Sequence, residues 1–159
     1  MFLRNNLRKE ERYKYLQTLI FLTYKQFPNM TLQERIDKAM ELRRQGYNCA
    51  QAVILVFPDL TNLNDETAAK ISSGLGTGIG GIGELCGAAN GMALCAGMRH
   101  GAAPEDKVAA MKDVGALCRQ FAEGNQGRIR CCELKGKEGI RPCNELIAQA
   151  ITILHNSME

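Results

Sequence analysis

Tryptophan is absent from this chain of 159 residues, and aromatic residues together make up only 6% of it. A core without large rings must draw on Leu, Ile, Val, Ala and Met, and the scarcity of β-branched runs leans away from a β-sandwich. No apolar run approaches the ~18–20 residues of a membrane span, so stable membrane insertion is not expected. No segment sustains strand alternation, and there is no internal repeat or low-complexity tract. The motifs C-x-x-C and C-x-x-C-H are missing as well. Neither a thioredoxin-like mechanism nor covalent haem is therefore expected. The chain also lacks Gly-Lys-Ser/Thr, which excludes a P-loop.

A net positive balance is missing over most of the length. Residues 1–29 hold six Lys/Arg against two Glu, a local +4, which leaves −1 for residues 30–159 out of the formal net charge of +3. A nucleic-acid partner is not expected for such a body. The basic stretch Arg4–Lys14 followed by Leu16–Tyr24 has the outline of a secretory leader. Glu10 and Glu11 interrupt it, and no small-residue cleavage site precedes Lys25. The expected compartment is the cytoplasm.

What the chain does have is cysteine: seven, all between Cys49 and Cys143. In a secreted chain such a load reads as a disulfide scaffold. Without a leader, metal binding or redox chemistry is the better reading, and the plain alternative is that some are small buried hydrophobes.

The pattern predicts an all-α body of about six to seven helices. Thr31-Leu-Gln-Glu34 is a capping box opening a helix with Ile36, Ala39, Met40 and Arg43 at helical spacing, ended by Gly46. Asn48-Cys-Ala-Gln51 is a second box, starting a helix that runs to Phe57 and is stopped by Pro58. Asn64 caps a short helix over Asp65 to Ser73. From Glu84 to about Met98 the residues are apolar and small almost all round, with Gly87 and Gly91 allowing a close helix–helix approach. Such a helix is central or at a subunit contact, so a homodimer is compatible with it. Pro104 and Pro142 are placed at N1 of two further helices, the first running to about Glu123. Residues 124–141 read as a loop interrupted by Cys131-Cys-Glu-Leu-Lys-Gly136. Residues 30–159 form one domain on this reading. Residues 1–29 stand apart as an appended segment, with Leu7 to Gln26 able to form a helix.

Between the third and fourth helices lies Gly-Leu-Gly-Thr-Gly-Ile-Gly-Gly-Ile-Gly, residues 74–83, which spells G-x-G-x-x-G twice. A dinucleotide fingerprint needs a strand before those glycines, and here the preceding Glu66–Ser73 is helical. The nucleotide reading is therefore set aside. A structural role remains: a loop that turns with positive φ, approaches other backbone closely, and delivers Cys86 in the first turn of the next helix.

Helix starts recur around the cysteines. Cys49 follows Asn48, Cys143 follows Pro142, Cys86 follows Glu84 closely, and Cys132 begins a turn where a short helix can start. A thiol in a first helical turn feels unpaired amides that favour thiolate. Cys49 and Cys143 also share the core-facing stripes of their helices, so these sulfurs are expected to converge. Cys95 and Cys118 fall mid-helix among Leu, Ala and Gly, where packing is the better reading, and Cys131 is a spare thiol or a resolving partner. His100 and His155 lie near helix C-termini without metal-ligand spacing to a cysteine.

Four segments together carry a family resemblance: Gly-Tyr-Asn-Cys-Ala-Gln-Ala-Val at 46–53, Gly-Glu-Leu-Cys-Gly-Ala-Ala-Asn-Gly at 83–91, Cys-Glu-Leu-Lys-Gly at 132–136 and Cys-Asn-Glu-Leu-Ile at 143–147. From Met30 onward the chain resembles the redox-active family labelled by its cysteine signature, C_GCAxxG_C_C. The resemblance implies that Cys49, Cys86, Cys132 and Cys143 are the signature thiols, with Cys95, Cys118 and Cys131 as extras, and it tilts expectation toward electron transfer with a redox partner protein. It covers nothing in residues 1–29. Two chemistries stay open. Three or four of those cysteines bind zinc or an iron–sulfur cluster, or they work metal-free as a thiol–disulfide pair. A helical interaction module whose cysteines merely pack is the third reading.

Overall fold

The computed structural model describes Lys14, residues 29–135 and residues 141–159. Residues 29–135 and 141–159 hold eight α-helices and no strand: α1 (Leu32–Arg44), α2 (Cys49–Ile54), α3 (Pro58–Thr61), α4 (Asp65–Ser72), α5 (Gly87–Gly97), α6 (Lys107–Glu123), α7 (Cys131–Lys135) and α8 (Cys143–Asn156). Two 3-10 turns, Ser73–Leu75 and Pro104–Asp106, lead out of α4 and into α6. The all-α expectation holds. The reading of 1–29 as an appended helical segment lies, apart from Lys14 and Asn29, outside the described residues.

α5 is the axis of the body. It packs most extensively on α2, and also on α6 and α8, while α8 closes over α1. Met92, Cys95 and Ala96 of α5 are wholly buried with Val53, Ile54, Phe121, Ile147 and Leu154. The close approach expected at the α5 glycines is present. A Cβ on Gly91 would stand 2.7 Å from the carbonyl oxygen of Ala50 and 2.8 Å from Cβ of Val53, distances no side chain tolerates.

Both capping boxes form, at Thr31/Glu34 and Asn48/Gln51. The second does more than cap. Nδ2 of Asn48 donates to the carbonyl of Ser73 at 2.8 Å, and Nε2 of Gln51 donates to that of Ala69 at 3.0 Å, so the start of α2 is tied to α4 and to the head of the glycine run.

Three boundaries differ from expectation. Pro58 does not merely end α2, which stops at Ile54. It opens α3, where its missing N–H is one that a first helical turn leaves unpaired anyway. Pro142 is the N-cap of α8, not N1, which makes Cys143 the first helical residue. α5 begins at Gly87 with Cys86 as N-cap, because the backbone of Glu84–Cys86 is engaged elsewhere. Leu85 and Arg130 form an isolated antiparallel bridge. The N–H of Cys86 donates to Ile129, and those of Cys131 and Cys132 donate to Glu84 and Gly83, at 2.9, 2.6 and 2.9 Å.

One buried charge was invisible in the helical pattern. Arg35 is 1% exposed. Its guanidinium donates to both carboxylate oxygens of Asp59, at 2.8 and 2.6 Å, and to the carbonyl of Val56, and it lies 4.4 Å from the centre of the Phe57 ring. A bidentate pair with a further acceptor and an aromatic face is the setting in which a buried guanidinium is tolerated.

Candidate functional site

The bridge between Leu85 and Arg130 decides where the thiols go. Cys86 and Cys131, each one residue on from the bridged pair, are brought to the walls of the same cavity. Glu84 and Arg130 reinforce the join from outside, with guanidinium-to-carboxylate contacts of 2.6 and 3.1 Å. α2 brings Cys49 and α8 brings Cys143 to the same place. The four thiols line one small cavity with Ala88, Leu134, Lys135 and Leu146; its volume is about 10 Å³, at the lower limit for a single water.

The convergence of Cys49, Cys86 and Cys143 matches the expectation from the sequence. Cys132 does not join them. It is exposed, and Cys131, expected to be an extra, is buried and lines the cavity in its place. The physical reason lies in the rotation of α7. The bonds from Cys131 to Glu84 and from Cys132 to Gly83 fix that rotation, so Cys131 and Leu134, three residues apart, turn inward together. The signal was available: Leu134 is the apolar residue of this helix, and the cysteine sharing its face is Cys131.

The glycine loop is the cradle of this site. It runs from the 3-10 turn after α4, not from a strand, so the G-x-G-x-x-G spelling has no dinucleotide context. Gly78 takes φ 71°, and a Cβ there would stand 2.7 Å from Cβ of Cys131. A Cβ on Gly87 would stand 2.8 Å from Sγ of Cys49. Asn90 clamps the loop from α5, its Nδ2 donating to the carbonyls of Leu75 and Leu85 at 3.3 and 3.0 Å. Thr77 and Ile79 also adopt positive φ, 52° and 60°. For β-branched residues that is strained backbone, held by the bonds closing the loop, Gly80 to Gly74 and Glu84 to Gly78.

Electrostatics reverse one expectation. Position at a helix start was expected to favour thiolate. At Cys86 the amides of Ala88 and Ala89 do pull that way, without making a cap bond, but burial outweighs them and pushes the thiol from an ordinary 9.0 up to about 11. Burial also raises Cys131, with the neighbouring Cys49 and Cys143 adding to it and Lys135 opposing. A protonated thiol is the resting form of both at neutral pH, unless a cation arrives.

Cys95 and Cys118 lie outside the cavity. Cys95 is wholly buried in the core and Cys118 packs against it, as the packing reading expected; burial raises both thiols. His100 stands 3.0 Å from Asp113. Among the described residues, no group of three or more His, Cys, Asp or Glu side chains is placed so that it could hold a metal ion as it stands.

The model of the family described as "Putative redox-active protein (C_GCAxxG_C_C)" matches residues 47–157. The chain belongs to that family. The match takes in α2 through α8 and all four cavity thiols of this C_GCAxxG_C_C protein, while α1 and its capping box precede it. Neither the curated proteins nor the solved structures give a match to the chain. Among the described residues, no helix of the C_GCAxxG_C_C protein is long and apolar enough to cross a membrane.

Proposed function

We propose that the chain is an electron-transfer component whose redox centre is a thiolate-bound metal, held by Cys49, Cys86, Cys131 and Cys143. The observation carrying this reading is one cavity lined by four thiols from four separate elements, with Lys135 the single charged residue among its walls. The donor set suits soft or borderline cations such as zinc and iron. The raised thiols support it too, because a bound cation supplies the positive charge that buried thiolates lack. The cavity has room for one ion, and a multi-iron cluster would require its walls to part. When bound, iron would supply a one-electron couple, and zinc would supply structure only. This chain's residues bind and orient: the glycine loop seats Cys131, the bridge sets it beside Cys86, and Leu134 and Leu146 exclude water.

The test is metal analysis with a visible spectrum on protein purified without oxygen. Stoichiometric iron, lost on Cys→Ser change at any of the four positions and kept in Cys132→Ser, is the expected result, and bound zinc in its place would overturn the electron-transfer reading. Protein that retains no metal from a metal-supplemented culture, with all its thiols intact, overturns it.

One observation favours a second reading. Cys86 and Cys131 stand one residue on from the bridged pair and line the same cavity, which suits a metal-free pair oxidised from two thiols to one disulfide with release of two protons and two electrons. Reversible formation of that disulfide in metal-free protein would select it.

A further inference from the structure

Where the end of α1 meets the start of α8, Met40, Arg43, Arg44 and Asn144 line an open pocket of about 300 Å³, the lower end of the range for small-molecule sites. Residues 30–159 carry a net −1, so two guanidinium groups lining one pocket are a local departure from the body around them. We infer that this pocket binds the anionic end, a phosphate or a carboxylate, of a small molecule, and so seats that molecule beside Cys143 of the thiol cavity. The site stands on its own residues and does not rest on the metal reading above.

The donors at this pocket are only partly used. Nη1 of the half-buried Arg43 donates to the Tyr47 carbonyl at 2.5 Å. Its Nε is buried and has no acceptor among the described residues. With Nη1 taken, the edge formed by Nε and Nη2 is a fork from which carboxylate and phosphate oxygens accept in pairs. The exposed Arg44 gives Nε and Nη2 to one oxygen of Glu41, at 3.0 and 2.6 Å, and keeps Nη1. No side chain caps α8, whose second residue is Asn144, so the free amides and dipole of that 14-residue helix favour negative charge at the same wall. Of the carboxylates at hand, Glu41 is held by Arg44, and the exposed Glu145, next to Asn144 in the chain, is not among the walls. Arg43 and Arg44 also suit the last turn of α1, where cations oppose the dipole. That accounts for their sign, and not for the unmatched Nε.

Position ties the pocket to the thiols. Asn144 directly follows Cys143, so their Cα atoms stand about 3.8 Å apart. Cys49, Cys86 and Cys131 are 8%, 4% and 7% exposed, whereas Cys143 is half-buried and is the cavity thiol nearest solvent. A molecule held at its anionic end by Arg43 has Met40 as an apolar contact for its body and lies within reach of that thiol. No bond forms or breaks in this binding; the pocket positions its ligand.

Calorimetric titration of the full chain with inorganic phosphate and, separately, with succinate tests the site and tells the two anionic groups apart. Saturable binding of at least one, with Kd near or below about 1 mM at low ionic strength, is expected, and chloride should give none. Arg43→Gln and Arg44→Gln should each weaken it by about tenfold. Lys70→Gln, the same loss of charge at an exposed position of α4, should leave it unchanged. Because Arg43 also holds the Tyr47 carbonyl, a variant that leaves that residue alone is needed: Glu41→Gln frees Arg44 and should tighten binding several-fold. No saturation by either probe below about 10 mM would overturn the site. So would binding that survives both arginine changes, or that falls equally in Lys70→Gln. Alkylation of Cys143, mapped by peptide mass in chelator-treated chain so that no metal masks the thiol, should slow several-fold in saturating anion. An unchanged rate would overturn the placement beside Cys143 while leaving the anion site and the four-thiol reading intact.

Discussion

Two places in this molecule bury ionisable groups, and they are built on opposite terms. At one, Arg35 of α1 reaches Asp59 of α3, with the Val56 carbonyl and the Phe57 ring completing its surroundings. At the other, four thiols gather around a small cavity and nothing anionic or cationic answers them except Lys135 at the wall. The first pairs its charge and leaves Nε of Arg35 without an acceptor among the described residues, and its use is architectural: it pins α1 to the turn that follows α2. The second has no such partner, and burial keeps Cys86 and Cys131 protonated there, which is the feature the proposed function draws on.

The largest expected effect breaks the first member of that comparison. Arg35→Met leaves Asp59 buried without its partner and should cost roughly 3–5 kcal/mol. A chemical-denaturation curve measures it, and a loss below 1 kcal/mol would mean that Asp59 finds water or another donor. Next comes alkali, acting on the second member. Cys86 keeps its proton to about 11 in the folded protein against an ordinary 9.0. Below pH 9 both states are protonated and the contribution is complete. Between 9 and about 11 the unfolded chain ionises first, so metal-free protein should lose stability through that window, by about 2–3 kcal/mol from this thiol. Cys86→Ala should flatten that part of the pH profile, and an unchanged slope would place the effect in other groups.

Smaller effects sharpen the scaffold that both sites share. Gly91→Leu drives a side chain into Ala50 and Val53 and should cost at least about 1–3 kcal/mol; wild-type stability in that variant would mean that α2 and α5 can part. Ile79→Gly, by contrast, should gain up to about 1 kcal/mol by releasing left-handed strain. Thermal melts detect that gain, and a loss would show that the half-exposed Ile79 side chain is worth more to the loop than its backbone costs.

Much of this was legible in the residues, for a reason that also explains what was not. Capping boxes, glycine spacing and apolar stripes are local, so Thr31, Asn48 and the close approach at Gly91 could be read directly. The convergence of Cys49, Cys86 and Cys143 followed from helix starts and from the family pattern. The choice between Cys131 and Cys132 turned on a non-local event, the bridge from Leu85 to Arg130, which sets the rotation of α7 and which no window of sequence contains. Arg35 was hidden likewise. Its partner lies 24 positions away, and nothing within α1 separates a buried arginine from the exposed Arg44 at the helix end. The acidity of Cys86 was misjudged because a helix start is local, whereas desolvation belongs to the assembled fold.

That same bridge also sets a clock. It joins Leu85 to Arg130, the Glu84–Arg130 ion pair beside it spans 46 positions, and the cavity is not walled until Cys143 arrives from later still. A chain emerging from synthesis N-terminus first therefore carries Cys49 and Cys86 long before their companions exist, and closing so long a loop is among the slower steps of folding. The nascent protein passes through a stage with its thiols unsheltered and its site unmade. A metal bound there as proposed would have to be loaded late, onto a nearly finished molecule.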